Sequence, residues 1–303
     1  MSSFLTVGVD GSASSLDAVA GAARDAEVRN LHLRVVHALP LPARLPLDAA
    51  LPRPVINHFR KTADSVVQEA ENRARTEAAA VRVSAVVLRG EPLSVLLTQP
   101  RSAAAVVVGH RGLNPFTELI LGSTTTGPAA HAEYPVVVVR GTTAPTRPVV
   151  LGVDGSPAGA AAVRFAFGWA SAHGAHITAL HAWTAWNAPL PSPGPSEPYA
   201  FAPGMLAAQE NRLLAEALAG TRVRYPDVKV EHRNIHGPTR PTLIEASRNA
   251  RLTVVGSRGR GGFAGLSLDS VSQALLQHAH SPVAVVQGMK SPRQSARHDR
   301  RPS

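Results

Sequence analysis

The sequence states the same pattern twice, and that repeat limits what the chain can fold into more than any other feature. VGVDGSASSLDAV near the start returns as LGVDGSPAGAAAV, with Asp10 and Asp154 144 residues apart. LRVVHA returns as ITALHA, and His37 and His181 keep that offset. VVVGHRGLNPF returns as TVVGSRGRGGF and EYPVVVV as HSPVAVV, where Gly109 to Gly256 and Pro135 to Pro282 are each 147 residues apart. Four segments in one order, displaced by three residues over the repeat, mean a duplicated domain. At about 100–200 residues per domain, 303 residues accommodate two. The polar stretch GTTAPTRP, Gly141–Pro148, has a linker's composition. The expected organisation is therefore a first domain over 1–141, a second over 148–288 and a tail over 289–303.

Within each half, short β-branched runs alternate with helical stretches. Strands are expected at Leu5–Val9, Leu31–His37, Val81–Leu88, Ala104–Gly109 and Val136–Arg140, most of them continuous apolar runs suited to parallel strands buried on both faces. Between them the spacing predicts helices over Ser14–Arg29, Val55–Ala80 and Leu93–Arg101 and one after Gly122; the second half repeats the order from Val149–Val153 to Val283–Val286. This is an α/β chain of two doubly wound, five-stranded parallel-sheet domains. Leu39–Pro54 and Trp183–Pro203 are too rich in proline for a helix or an interior strand and read as loops.

Composition excludes several classes. With 44% hydrophobic residues and no long apolar run, the chain is neither disordered nor membrane-spanning. The N-terminus lacks a basic, apolar and small-residue succession, so a cytoplasmic location is expected. With no cysteine there is no disulfide or thiolate chemistry. The net charge is +10, but Lys290, Arg293, Arg297, Arg300 and Arg301 against Asp299 account for four of it, leaving +6 for the rest. That basic tail reads as a disordered arm. No aromatic-studded or helix-turn-helix pattern accompanies the charge, so a solvated basic surface is at least as good a reading as nucleic-acid binding.

Chemistry concentrates in Gly109-His110-Arg111-Gly112, followed after nine residues by Gly122-Ser123-Thr124-Thr125. The segment follows a buried strand and leads into a helix. Glycines there let backbone amides approach anionic oxygens, and a helix start adds free donors and positive dipole. Ser123 and Thr124 add hydroxyls and Arg111 a charge. Each residue also has a plainer use. Asp10 in VDGS suits a turn or helix cap, His37 and His181 suit core or rim positions, and Trp183 and Trp186 suit packing.

The G-x-x-G, nine residues, G-[ST] pattern, with its V-D-G-S first strand and late strand ending in VVG, resembles the ATP-binding universal stress proteins over nearly the whole chain apart from the tail. The resemblance implies an adenine nucleotide alpha hydrolase-like fold, ATP over the sheet's carboxyl edge with or without magnesium, and no strong catalysis. It places Asp10 by the adenosine, Ala38 in the adenine pocket, and Gly109, Arg111, Gly112, Gly122, Ser123, Thr124 and Thr125 around ribose and phosphates. The second-half counterparts are Asp154, Ala182, Gly256, Arg258, Gly259, Ser270, Val271 and Ser272. It also implies dimerisation through the last strands, so Val136–Val139 and Val283–Val286 are expected to face each other as a pseudo-dimer; a homodimer of whole chains and an unknown protein partner stay open. Asn114-Pro115 and Gly127-Pro128 depart from the family pattern. In the second half Asp269 stands where the pattern has glycine, which predicts a weaker site or an N-cap. The rival readings are a weak ATPase or other adenine-nucleotide enzyme, and a basic nucleic-acid or partner-binding module acting through the tail. The P-loop signature and G-x-G-x-x-G after the first strand are both missing.

Overall fold

The computed structural model describes residues 4–39, 53–98, 103–110, 134–141, 144–157, 159–184, 205–259 and 269–288. The first half runs β1 (Phe4–Val9), α1 (Ala13–Val28), β2 (His32–Leu39), α2 (Arg53–Glu77), β3 (Arg82–Arg89), α3 (Pro92–Leu97), β4 (Ala103–Gly109) and β5 (Val136–Val139). The second runs β6 (Val149–Gly152), α4 (Ala160–Ala172), β7 (Ile177–Trp183), α5 (Met205–Arg224), β8 (Val230–His236), α6 (Thr239–Ser247), β9 (Leu252–Gly256), α7 (Ser270–His278) and β10 (Val283–Val286).

All ten strands form one sheet, ordered β3-β2-β1-β4-β5-β10-β9-β6-β7-β8. Eight of its nine strand contacts are parallel. The exception is the central seam, where β5 and β10 pair antiparallel with Val283 opposite Val138 and Val285 opposite Val136. The two last strands therefore cover each other's edge, removing an apolar template that would otherwise invite aggregation. The outer edges, β3 and β8, carry Arg82, Arg89, Glu231 and Arg233 instead, charges that discourage further strand addition.

The core follows from this closure. On one face a single apolar cluster crosses the seam, from Val36 and Val108 through Val138 and Val283 to Leu180 and Leu243. On the other face each half has its own cluster, under α1 and α2 or under α4 and α5. Alanines at Ala18, Ala22 and Ala26 let α1 lie close on the strands, and all are essentially buried.

Element boundaries differ from the sequence reading where proline was weighed too heavily. Leu39 belongs to β2 and Trp183 to β7, and Pro54 sits in the first turn of α2, where its missing N–H is no loss. The third helix ends at Leu97 with Thr98 as its cap, short of the expected Arg101. The remainder of the two proline-rich segments, the tail, and the expected helix after Gly122 lie outside the described residues.

Each half has its topological switch point where the strand order reverses, between β1 and β4 and between β6 and β9. Doubly wound sheets bind ligands outside the carboxyl ends of such strands.

Candidate functional site

Both switch points are built by the same local rules. After β1, Gly11 adopts a positive φ of 81°, and the Asp10 carboxylate accepts from the Ser12 amide at 2.9 Å. Ser12 in turn caps α1 by accepting from the Ser15 amide at 3.2 Å. Burial pushes the Asp10 carboxyl up, but the hydrogen bonds from Ser12 and Ser15 outweigh it and leave it below the usual carboxylate value. In the second half Asp154 accepts from the amide and hydroxyl of Ser156 at 3.0 and 2.8 Å. The turn-forming role of these aspartates is thus real, and it fixes each carboxylate at the mouth of a cleft.

The strand-end histidines tie neighbouring strands together. His37 Nδ1 donates to the Val9 carbonyl at 2.9 Å, and His181 Nδ1 to the Val153 carbonyl at 2.7 Å. One residue further on, the backbone of Ala38 and Ala182 faces the cleft. The Leu39 carbonyl accepts from Gly90 on the β3 side, so by strand alternation the polar groups of Ala38 point the other way, beyond Val9, the last β1 residue in register.

A cavity of about 300 Å³ lies at the first switch point, lined by Gly8, Asp10, Ser12, Ala38, Pro92 and Gly109 among others. The structure thereby brings Asp10, Ala38 and Gly109 together. Arg111, Gly112, Gly122, Ser123, Thr124 and Thr125 lie outside the described residues. Gly109 has a steric reason to be glycine as well: a Cβ there would fall 2.4 Å from the Ser14 carbonyl, so β4 ends hard against the start of α1. His110 follows it, with Nδ1 3.2 Å from the Ser14 hydroxyl.

In the second cleft Asp154, Ala182, Gly256, Gly259, Val271 and Ser272 gather at the ends of β6, β7 and β9 and the start of α7, while Arg258 and Ser270 are exposed. Asp269 is the N-cap of α7. Its Oδ1 accepts from the amides of Val271 and Ser272 at 3.2 and 2.8 Å, and from the Ser272 hydroxyl. The helix start that would greet an anion is therefore already capped. Two carboxylates also converge on Gly259, where a Cβ would lie 2.9 Å from Asp269 Oδ2 and 3.1 Å from Asp154 Oδ2.

Three features here escape a reading of motifs alone. The Thr239 hydroxyl donates to the Ala182 carbonyl at 3.1 Å. Trp183 and His236 pack in a tilted pair at 50°, with ring centroids 4.6 Å apart. Behind them His181 Nε2 lies 2.5 Å from Oε2 of Glu210, a residue with no exposed surface. Subtracting the repeat offset would have flagged the first, since Thr239 falls on Pro92. Among the described residues no group of three or more His, Cys, Asp or Glu is placed to hold a metal ion, and no helix is long and apolar enough to cross a membrane.

The comparisons with known proteins agree with this architecture. The sequence profile of the universal stress protein family matches residues 3–140 and again 145–287. A universal stress protein of Mycobacterium tuberculosis is 36% identical, covering 95% of this chain and 96% of its own length. One of Mycolicibacterium smegmatis is 36% identical over 93% of this chain and 96% of its own. Among solved structures, a universal stress protein from Archaeoglobus fulgidus superposes with a TM-score of 0.67 at 17% identity, covering 95% of this chain and 97% of that one. With the profile matched twice, and with relatives alike over nearly their full length, this chain belongs to the universal stress protein family and carries its domain in tandem.

Proposed function

We propose that the first half binds ATP at the β1/β4 switch point, and that the chain acts in a stress response as a nucleotide-dependent regulator rather than as an enzyme. The observation that carries this reading is the cavity between Asp10, Ala38 and Gly109. At its apolar end the small residues Gly8, Val36 and Ala38 and the side chains of Leu96 and Val108 leave a slot suited to a flat base. The strand-end N–H and C=O of Ala38 form a donor–acceptor edge, and adenine presents an acceptor and a donor side by side. Asp10 stands where a ribose hydroxyl can donate to it. The sequence pattern Gly109-x-x-Gly112, nine residues, Gly122-Ser123 assigns the phosphates to Arg111, Gly112, Gly122, Ser123, Thr124 and Thr125, because glycines let backbone amides approach anionic oxygens. A magnesium ion, if bound, would sit on the phosphates. Relatives named universal stress proteins and alike over nearly their full length support a role in stress response for the whole chain.

Native mass spectrometry of the purified chain is expected to find ATP retained, and titration calorimetry to find one strong site per chain. Ala38→Phe, which fills the slot from a partly exposed strand end, is expected to weaken ATP at least tenfold while leaving the melting temperature nearly unchanged. Undiminished ATP affinity in a folded Ala38→Phe protein would overturn the assignment. Steady turnover of ATP at enzymatic rates would overturn the regulatory part.

A further inference from the structure

The two clefts differ most at the end where a base would enter. In the first half Pro92 opens α3 and lines the cavity, and its ring carries no donor. At the same place in the repeat Thr239 opens α6, and its hydroxyl reaches the Ala182 carbonyl at 3.1 Å. Strand alternation shows that this carbonyl is the counterpart of the one Ala38 offers. The Leu180 carbonyl accepts from the Val153 amide on the β6 side, so Ala182, two residues on, faces that side too. Two exchanges beside it add bulk. Leu180 replaces Val36, and Trp183, with the His236 ring tilted against it, replaces Leu39. Ala182 is 6% exposed, against a partly open Ala38.

We infer that Thr239 is the specificity-determining residue that closes the second cleft to adenine, acting at the base end as Asp269 acts at the phosphate end. The inference rests on the ATP reading of the first half, because it assigns Ala182 by analogy with Ala38. The two closures are of one kind. In each, a side chain at the first turn of a helix satisfies the backbone group that a ligand would have used: the Ala182 acceptor by Thr239, and the Val271 and Ser272 donors by Asp269. A ligand must displace Asp269 from the amides and share or displace the Thr239 bond at the carbonyl, so its net gain is reduced. The two exchanges touch different parts of a nucleotide, and undoing one leaves the other in force.

The test uses the full chain carrying Ala38→Phe, so that only the second cleft is read, and compares Asp269→Gly, Thr239→Val and the double variant by ATP titration. Thr239→Val keeps the shape and removes only the hydroxyl. Asp269→Gly alone is expected to create a weak site and Thr239→Val alone none. The double variant is expected to bind ATP about fivefold to tenfold more tightly than Asp269→Gly, the worth of one freed hydrogen bond. Adenosine without phosphate should show the Thr239 effect and be indifferent to Asp269. A double variant that is folded by circular dichroism but binds ATP no better than Asp269→Gly overturns the inference. Failure of the parent reading gives a different signature, namely a wild-type chain that binds no ATP in its first half.

Discussion

In the first half Ala38 and Pro92 line a cavity, whereas in the second half the same two places, Ala182 and Thr239, bond to each other. The contrast extends inward. Gly11 packs toward Val66 and Gly155 toward Leu213, which sets position 66 against 213 and hence Ala63 against Glu210. The first half thus buries an alanine beneath α2 where the second buries a glutamate against His181. Both nitrogens of His181 face acceptors, the Val153 carbonyl and the Glu210 carboxyl. That arrangement requires a proton shared between ring and carboxyl: an imidazolium against a carboxylate, or an imidazole accepting from a carboxylic acid. Duplication has left one copy with a cavity and apolar helix packing, and the other with the Thr239–Ala182 bond and a polar buried brace.

The largest expected effect breaks that brace. Glu210→Ala removes one partner of a buried pair and leaves His181 Nε2 without its hydrogen-bond partner, at a cost of about 3–5 kcal/mol in chain stability. Replacing both, His181→Leu with Glu210→Leu, is expected to recover most of the loss, because an apolar pair of similar volume needs no proton. Urea denaturation of the three proteins measures both steps. A loss under about 1 kcal/mol for Glu210→Ala would mean that the two halves are braced alike after all.

The next effect concerns how the halves are joined. Arg140, just past β5, donates to the Gln277 and Ala279 carbonyls at 3.1 and 3.0 Å and also to that of Leu276, closing the C-terminus of α7 from the other half. Burial holds its guanidinium below the ordinary arginine value. Its counterpart Gln287 instead accepts from the Ser257 hydroxyl within its own half, at 2.8 Å. Arg140→Ala is expected to cost about 2 kcal/mol, since hydrogen bonds from charged donors are the stronger kind, and Gln287→Ala about 1. Hydrogen exchange should show the Arg140 loss concentrated in the α7 amides; equal losses in the two variants would remove the asymmetry.

How far the sequence carries this picture depends on which signal an element rests on. β4 and β10 are uninterrupted apolar runs, and both were legible almost to the residue. The seam was legible because two such runs end the repeats and each needs a covered edge. Helix ends were less so: the glutamine and proline after Thr98 belong to no periodic pattern that would mark where α3 stops. Asp269 could be read as a cap because capping is a local rule. Glu210 could not, because its burial depends on the phase of α5 over the sheet, and LAAQENRLLAEAL is polar on more than one face. Thr239 needed both copies side by side. Its hydroxyl acts on a carbonyl 57 residues earlier, a distance that no local pattern spans.

The smallest effect tests whether the first cleft depends on a contact that its twin lacks. The Tyr134 hydroxyl donates to the Leu96 carbonyl, tying the entry of β5 to the end of α3 beside the cavity. At the matching place Ser281 lies 2.8 Å from the Thr253 hydroxyl, within the sheet of its own half. Burial pushes the Tyr134 phenol up to about 12. The folded value lies above the unfolded value near 10, so the folded state keeps a proton that the unfolded state releases. Stability from this group is complete below pH 10 and declines as pH rises from 10 towards 12. Tyr134→Phe is expected to cost about 1 kcal/mol at neutral pH, for one hydrogen bond, and to flatten the alkaline decline. It should loosen α3, and with it ATP binding in the first half, by a few-fold at most, whereas Ser281→Ala should leave that binding untouched. Stability against pH, followed by urea denaturation from pH 8 to 11.5, separates the cases: an alkaline limb that persists unchanged in Tyr134→Phe would assign the decline to another group.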